Sequence, residues 1–351
     1  MFEANAHSNW MIRWKPIPPT LLNHVSRVAE QEFGIRDITT IRQVDEWEQM
    51  SNNFRLTARG GTFLVRKNIV ATLSRIEAST SILQYLHNAG VAVPQLISAI
   101  DGRHCVEYED SYWQVFGFIS GNHFRGTLEE LIQAAKAVAK MHSALASFPE
   151  PRRIPNADAV MPLEFDTQTV MSSFRGENQF ERTLIGQKDF LENTIRYIRE
   201  VVADLGRMRQ QALHGDIHPQ NFLFHNSACA AIIDFGNSFF GPLMDDVAMA
   251  CHRLTRQYVV HQKKRPWPKT LSPGLRSFLE AYMTIHPLSD EELGFLPVFM
   301  TDLLFRKLLN NIRTYIQGKR TAEIAYTQHQ RFVNFMDEIH AVETELYSFG
   351  L

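Results

Sequence analysis

Polar groups able to do chemistry crowd one stretch of the 351-residue chain, Leu213-His214-Gly215-Asp216-Ile217-His218-Pro219-Gln220-Asn221-Phe222-Leu223-Phe224, and a second carboxylate follows in Asp234-Phe235-Gly236. Phe222 to Phe224 is a strand-like run, His225-Asn226-Ser227 supplies turn residues, and Ala230 to Ile233 reads as a returning strand. Such a hairpin brings Asp234 beside Asn221. An Asn and an Asp side by side offer hard oxygen ligands suited to Mg²⁺ carrying a nucleotide's phosphates. Asp216, five residues before Asn221, then stands where it can face an attacking hydroxyl. The same stretch holds an H-x-D-x-H pattern, His214, Asp216 and His218, which in a hydrolase would bind a catalytic metal. Such sites need a closed set of nitrogen and oxygen ligands, and nothing else in the chain completes one.

These residues need elements to position them. Leu22, Val25, Val28 and Ala29 recur at helical spacing up to Gly34, which predicts a short amphipathic helix. Thr39 to Val44, Asn53 to Thr57 and Thr62 to Val65 are β-prone, and Ala58-Arg59-Gly60-Gly61 joins the last two as a hairpin turn. Ser74 with Glu77 reads as a capping box opening a helix that stops at Gly90. Strand-like runs follow at Gln95 to Ala99, Val106 to Tyr108 and Tyr112 to Ile119. After Ser120-Gly121-Asn122 the character changes to long helices. Thr127 with Glu130 forms a second capping box for a helix to about Ala146, Phe190 to Leu205 is a further helix, and Thr321 to Tyr347 is the last. Phe148 to Met161 and the basic stretch His261 to Lys269 read as loops. A β-rich first third and an α-rich remainder predict an α+β, two-lobe fold with the ligand between the lobes.

Composition sets the limits. Lys plus Arg number 36 against 38 for Asp plus Glu, a balance of -2 that disfavours a nucleic-acid partner. Hydrophobic residues at 44% fit a globular chain with a substantial core. Cys105, Cys229 and Cys251 share no paired spacing, which fits a reducing compartment rather than a disulfide scaffold. The longest stretch without Asp, Glu, Lys or Arg, Ala78 to Ile100, is broken by His87, Asn88, Gly90 and Pro94, so no membrane span is expected. Met1 to Trp14 lacks the pattern of a secretory signal, and the expectation is a cytoplasmic protein.

The spacing from Asp216 through Asn221 to Asp234, with Phe-Gly after it, resembles the catalytic loop and metal-binding aspartate of the protein-kinase fold, in the His-Gly-Asp version found in the aminoglycoside phosphotransferase and choline kinase family. The resemblance implies a bilobal fold: residues 1–118 as a small antiparallel-sheet lobe that clamps the nucleotide, with residues 1–20 an irregular extension, and residues 119–351 as a larger, mainly helical lobe. It implies that Asp216 orients or deprotonates the substrate hydroxyl, that Asn221 and Asp234 hold Mg²⁺, and that the nucleotide is ATP, or GTP in its place. His214 would brace the loop, and Asp246, after Gly241-Pro242, would be structural. In the first lobe Phe63-Leu64-Val65-Arg66 resembles the strand that ends in the phosphate-pairing lysine. Here Arg66 stands in that register and Lys67 follows on the opposite face. Glu77 lies at the position of the helix partner, although as the third residue after Ser74 it can equally cap its own helix. Ser51-Asn52-Asn53-Phe54 resembles the short turn that covers the nucleotide, and Gln114 to Ile119, with Phe116 and Phe118, resembles the connector that receives the adenine.

After Asp234-Phe235-Gly236 the chain lacks the long activation segment and Ala-Pro-Glu anchor that dock a peptide. The expected activity is therefore phosphoryl transfer to a small hydroxylated acceptor, such as homoserine, a choline-like amino alcohol, a sugar or an aminoglycoside. A compact Ser/Thr protein kinase and a catalytically silent nucleotide-binding module are the alternatives. Tyr282, Asp302, Arg306, Asn310 and Asn311 are candidates for the acceptor pocket, although a solvated or interlobe face explains them equally well.

Overall fold

The computed structural model describes residues 12–44, 51–69, 71–149, 154–155, 166–202, 208–262 and 268–346. Strands β1 (Trp14–Lys15), β2 (Ile38–Val44), β3 (Ser51–Ala58), β4 (Gly61–Asn68), β5 (Leu96–Ile97), β6 (Val106–Tyr108) and β7 (Ser111–Gly117) make one antiparallel sheet. Their order is β1-β2-β3-β4-β7-β5, with β6 beside β7. Helix α1 (Pro19–Arg27), continued by a π-helical turn at Val28–Glu32, packs on one face of this sheet. Val25, Val28, Phe54, Leu56, Val65, Trp113 and Val115 fill the small core between them. The Trp113 indole donates to the Tyr108 carbonyl at 3.2 Å, so the largest ring of that core leaves no polar atom unpaired.

The β3–β4 hairpin turns where the sequence predicts, with Ala58 opposite Gly61 and the register continuing to Asn53 opposite Arg66. Helix α2 (Leu73–Asn88) ends at Ala89, and Gly90 follows at φ 74, a conformation that favours glycine. Its start differs from the expected capping box. Thr72 is the N-cap and makes no side-chain cap bond, which puts Ser74 inside the first turn. Glu77 therefore has no capping role.

The second part holds α3 (Leu128–Leu145), α4 (Thr167–Ser172), α5 (Gln179–Gly186), α6 (Lys188–Val202), α7 (Leu243–His261), α8 (Pro268–Met283), α9 (Asp290–Ile316) and α10 (Ala322–Leu346). Short strands β8 (Asn122–His123), β9 (Gln210–Leu213), β10 (Phe222–His225), β11 (Ala228–Ile232) and β12 (Phe239–Pro242) form two small sheets, β11-β10-β8 and β12-β9. The large core runs through α3, α7, α8 and α9, and Ile82, Leu83 and Leu86 of α2 belong to it rather than to the core under the sheet. The basic stretch read as a loop to Lys269 stops earlier, because Pro268 and Lys269 already open α8. Proline at a first helical position loses no hydrogen bond. The expected loop from Phe148 to Met161 lies mostly outside the described residues.

The peptide joining the two parts is clamped where α3 begins. Thr127 caps the helix by accepting the Glu130 N–H, but the Glu130 carboxylate turns to Arg125 and not to the cap. It accepts the Arg125 backbone N–H at 2.8 Å and the guanidinium Nε at 2.6 Å, while itself fully buried. Breaking a fully buried pair costs about 3–5 kcal/mol, and the partial hydration of Arg125 sets the expectation for Arg125→Ala at roughly 2–3 kcal/mol. Urea denaturation should show this loss, and Arg125→Ala with Glu130→Gln should recover part of it by removing the stranded charge.

Candidate active site

The loop that carries Asp216 is fixed at both ends. β9 leads into it and pairs with β12, Leu213 lying opposite Phe239. A 3-10 turn at Pro219–Asn221 leads out into the β10–β11 hairpin, where Phe222 faces Ile232. The Ile233 N–H donates to the Asn221 carbonyl at 2.9 Å, which sets Asp234 beside Asn221 as the sequence predicts. Asn226 and Ser227 turn the hairpin with positive φ of 48 and 62.

Beneath the loop, the buried carboxylate of Asp246, in the first turn of α7, accepts the N–H groups of His214 at 2.7 Å and Gly215 at 2.9 Å. Its Oδ2 also lies 3.2 Å from His142 Nε2, whose Nδ1 meets the Tyr282 hydroxyl at 2.8 Å. Burial raises the Asp246 pKa, but the His142 bond and charge, His214 and the Gly215 N–H together hold it below the usual carboxylate value. His214 braces the loop from above. Its Nδ1 accepts the Asp216 N–H at 3.2 Å, which leaves Nε2 to donate to the Ile233 carbonyl at 2.9 Å. Gly215 sits at φ 78, and a Cβ there would overlap the Asn237 carbonyl oxygen. His142, Tyr282 and Asp246 are thus structural supports.

Asp216 is partly exposed and touches two side chains. The Asn237 amide donates to Oδ2 at 3.3 Å, and His218 Nε2 lies 3.5 Å from the same oxygen. Burial pushes its pKa up, but the hydrogen bond and charge of His218, with His214 and Arg253, bring it below the ordinary value. His218 also accepts the Gln220 N–H as cap of the 3-10 turn. The H-x-D-x-H metal site does not form: both ring nitrogens of His214 are engaged, and among the described residues no group of three His, Cys, Asp or Glu could hold a metal ion.

Asn221 and Asp234 suit a hard cation better. The Asn221 amide nitrogen donates to the Asp216 carbonyl at 2.8 Å, which leaves its oxygen as a ligand. Asp234 is exposed, adopts φ 66, and uses one oxygen to meet Arg66 at 3.1 Å. The Arg66 charge is the main cause of its lowered pKa.

Arg66 points into the cleft, its Nε donating to Asn53 Oδ1 at 3.0 Å and its guanidinium 5.7 Å from the Phe116 ring centre. Lys67 goes to the other face, over the Trp113 ring at 5.4 Å. Glu77 is exposed and does not meet Arg66, whose partners are Asp234 and Asn53. Ser51 and Asn52 are not in a turn but in β3, and Asn52 lies on the Lys67 side with its oxygen accepting from Gln43 at 3.2 Å. Phe116 and Phe118 line the cleft together with Leu64, Leu83, Ile233 and Asp234, around some 890 Å³ of open space. Asn53, the third residue of the Ser51-Asn52-Asn53-Phe54 segment, is the one of that segment that meets Arg66, and Asn237 is an addition that the motifs did not supply. The acceptor candidates are largely internal ties: Arg306 joins Asp245 at 2.8 Å and pairs with Asp302, and Asn311 donates to the Ala325 carbonyl at 2.8 Å. Burial raises the Asp302 pKa to about 6, against the pull of Arg306. From Asp234 the chain reaches α7 through only a 3-10 turn and β12.

An antiparallel-sheet lobe against a helical lobe, with Asp234 lining the cleft and Asn221 held beside it, has the architecture of the kinase-like phosphotransferases. The phosphotransferase enzyme family matches residues 42–271, and the chain belongs to that family. The chain is 23% identical over 295 residues to a homoserine kinase of Brucella anthropi, covering 82% of each, and 23% identical over 300 residues to one of Mesorhizobium japonicum, covering 82% of this chain and 87% of that one. Two solved structures share its fold at TM-score 0.65 and 14% identity: an amicoumacin kinase complexed with AMP-PNP and Ca²⁺, covering 92% of this chain and 93% of its own, and a spectinomycin phosphotransferase complexed with ADP, covering 95% and 100%. A microcompartment-associated aminopropanol kinase follows at TM-score 0.64 and 16% identity, covering 93% and 98%. Membership of that family makes the chain a phosphotransferase. No helix among the described residues is long and apolar enough to cross a membrane.

Two outcomes follow from the support of Asp216. Asp246→Asn, which keeps size but loses the charge and one acceptor, should cost about 3–5 kcal/mol in urea denaturation, as for a broken buried ion pair, and depress turnover with it. Because the Asp216 pKa is lowered, its carboxylate persists at neutral pH and is lost only as pH falls through that lowered value. His218→Ala removes the main lowering influence, so the acid limb of kcat/KM should move to higher pH. An unmoved limb would detach His218 from Asp216.

Proposed function

We propose that this protein is a cytoplasmic, ATP- and Mg²⁺-dependent kinase of a small hydroxylated metabolite or antibiotic, with residues 1–118 clamping the nucleotide and residues 119–351 carrying catalysis and acceptor binding. The observation that carries this reading is a chain of contacts leading from an apolar cleft to the braced loop: Asp234 lines the cleft and meets Arg66, Asn221 is tied beside it through the Ile233 N–H, and the Asn221 amide is tied to Asp216. Homoserine, amicoumacin, spectinomycin and aminopropanol, named for the relatives and neighbours, are all small molecules bearing a hydroxyl.

In this reading the adenine lies against Phe116 and Phe118, and Arg66, held by Asn53, faces the phosphates. Asn221 and Asp234 would hold the metal, which when bound neutralises charge on the phosphate oxygens. The acceptor oxygen forms a bond to the γ-phosphorus while the bond to the β–γ bridging oxygen breaks and ADP leaves. The hydroxyl proton passes to the Asp216 carboxylate, whose lowered pKa favours directing the proton over keeping it. Catalysis is then positioning plus charge neutralisation, with no covalent enzyme intermediate.

General-base assistance is worth about 10²- to 10⁴-fold, so Asp216→Asn should lower kcat by that order while the KM for ATP stays near its starting value. Asn221→Ala and Asp234→Ala should instead raise the Mg²⁺ concentration needed for half-maximal rate. These are read by coupled ADP release on a panel of hydroxylated metabolites and antibiotics. Near-normal turnover by Asp216→Asn, or unchanged Mg²⁺ dependence in both other variants, would dismiss the respective assignment.

A further inference from the structure

Behind the catalytic loop the charge balance is local and one-sided. Helix α7, whose first turn holds the loop through Asp246, packs against the Pro219–Asn221 turn and carries Arg253 seven residues further on. That spacing is about two turns, so Arg253 stays on the loop-facing side about 10 Å along the axis. Helix α9 packs on α7 and is pinned to it by Arg306 at Asp245, and the residue after Arg306 is Lys307. Helix α10 adds Arg331, stacked 5.4 Å from the Phe335 ring centre.

Arg306 is neutralised by two carboxylates. Arg253 and Lys307 are not: both are half-buried, and among the described residues neither makes a hydrogen bond or ion pair. They lie close enough to act on one another, and Asp216 is the carboxylate whose charge reaches both. Burial, then the charge of Arg253, brings the Lys307 pKa down to about 7. Two partly desolvated cations that share the charge of the single carboxylate Asp216 are incompletely compensated, and two cations against one carboxylate leave room for another negative group.

We propose that Arg253 and Lys307 form the subsite for an anionic group of the acceptor, a carboxylate, so that the acceptor is a small hydroxy acid or hydroxy amino acid whose hydroxyl lies toward Asp216. The guanidinium fork of Arg253 suits a carboxylate, and Lys307 adds a point charge. A polycationic acceptor would meet like charge here. This assignment rests on the phosphotransferase reading of Asp216 and names the substrate class of the same site.

The test pairs acceptors that differ only by the carboxylate: L-homoserine against 3-aminopropan-1-ol, L-serine against ethanolamine, and glycerate against ethylene glycol, each with ATP and Mg²⁺. The carboxylate member of at least one pair should have a kcat/KM ten-fold or more above its counterpart, and Arg253→Gln or Lys307→Gln should cut that ratio ten-fold or more. Equal use of the two members, or a loss in the variants that leaves the ratio intact, overturns the subsite. Where no pair is turned over, thermal shift by inorganic phosphate in the presence of saturating AMP-PNP and Mg²⁺ decides. The native chain should be stabilised more than the Arg253→Gln/Lys307→Gln double variant, and identical shifts would overturn the proposal. Failure to bind AMP-PNP would instead sink the phosphotransferase reading, and the phosphate measurement without nucleotide would still report on the cation pair.

Discussion

The buried carboxylate of Asp246 accepts two consecutive backbone N–H groups of the catalytic loop while His142 holds it from the opposite side. A desolvated carboxylate is unfavourable by several kcal/mol, and hydrogen bonds to charged groups recover about 1.5–3 kcal/mol each. Three such contacts therefore suffice to keep it ionised, in keeping with its lowered pKa. The position of Asp216 follows from this contact. The loop is fixed by its own amides, and the side chain above meets Asn237 and His218 through one oxygen only, which leaves the other to face a substrate.

A second constraint crosses between the lobes. Arg66 leaves β4 to meet Asp234, and Asn53 on the neighbouring strand holds the guanidinium at Nε. Where the protein-kinase pattern places a helix glutamate, this chain supplies an asparagine from the sheet. The charge of Arg66 is consequently oriented by the same rigid element that carries it, and α2 contributes Leu83 and Ser79 to the cleft wall rather than a counter-ion.

Much of this was legible in the chain. The Asp216, Asn221 and Asp234 spacing implied a hairpin, and the hairpin has the expected turn and register. Strand alternation implied that only one of Arg66 and Lys67 faces the cleft, and the resemblance put Arg66 in that register; the two side chains do lie on opposite faces. Asn53 was also within reach: with the turn at Ala58 to Gly61, counting back along both strands puts it opposite Arg66. Ser51 and Asn52, which resemble a turn, instead continue the same ladder opposite Asn68 and Lys67. Glu77 failed for a different reason. Its spacing from Ser74 satisfied a capping pattern, but Thr72 begins the helix, and local pattern does not fix which residue takes that place. The approach of Arg253 to Lys307 was not legible, because the separate helices α7 and α9 bring them near one another only after packing.

The membership of α2 in the large core has a mechanical consequence. Its Ile82, Leu83 and Leu86 pack with the helical lobe, and Phe116 of β7 joins them with Leu64 and Leu96 alongside, while the other face of the sheet and α1 close over a separate set of side chains. The seam between α2 and the sheet is thus bridged by the Phe116 ring, by the Gln114 to Thr80 bond and, further out, by Arg66 to Asp234. A base resting on Leu83 and Phe116 would therefore touch one continuous apolar core, so the nucleotide wall is built from both the sheet and α2, with Arg66 at its edge.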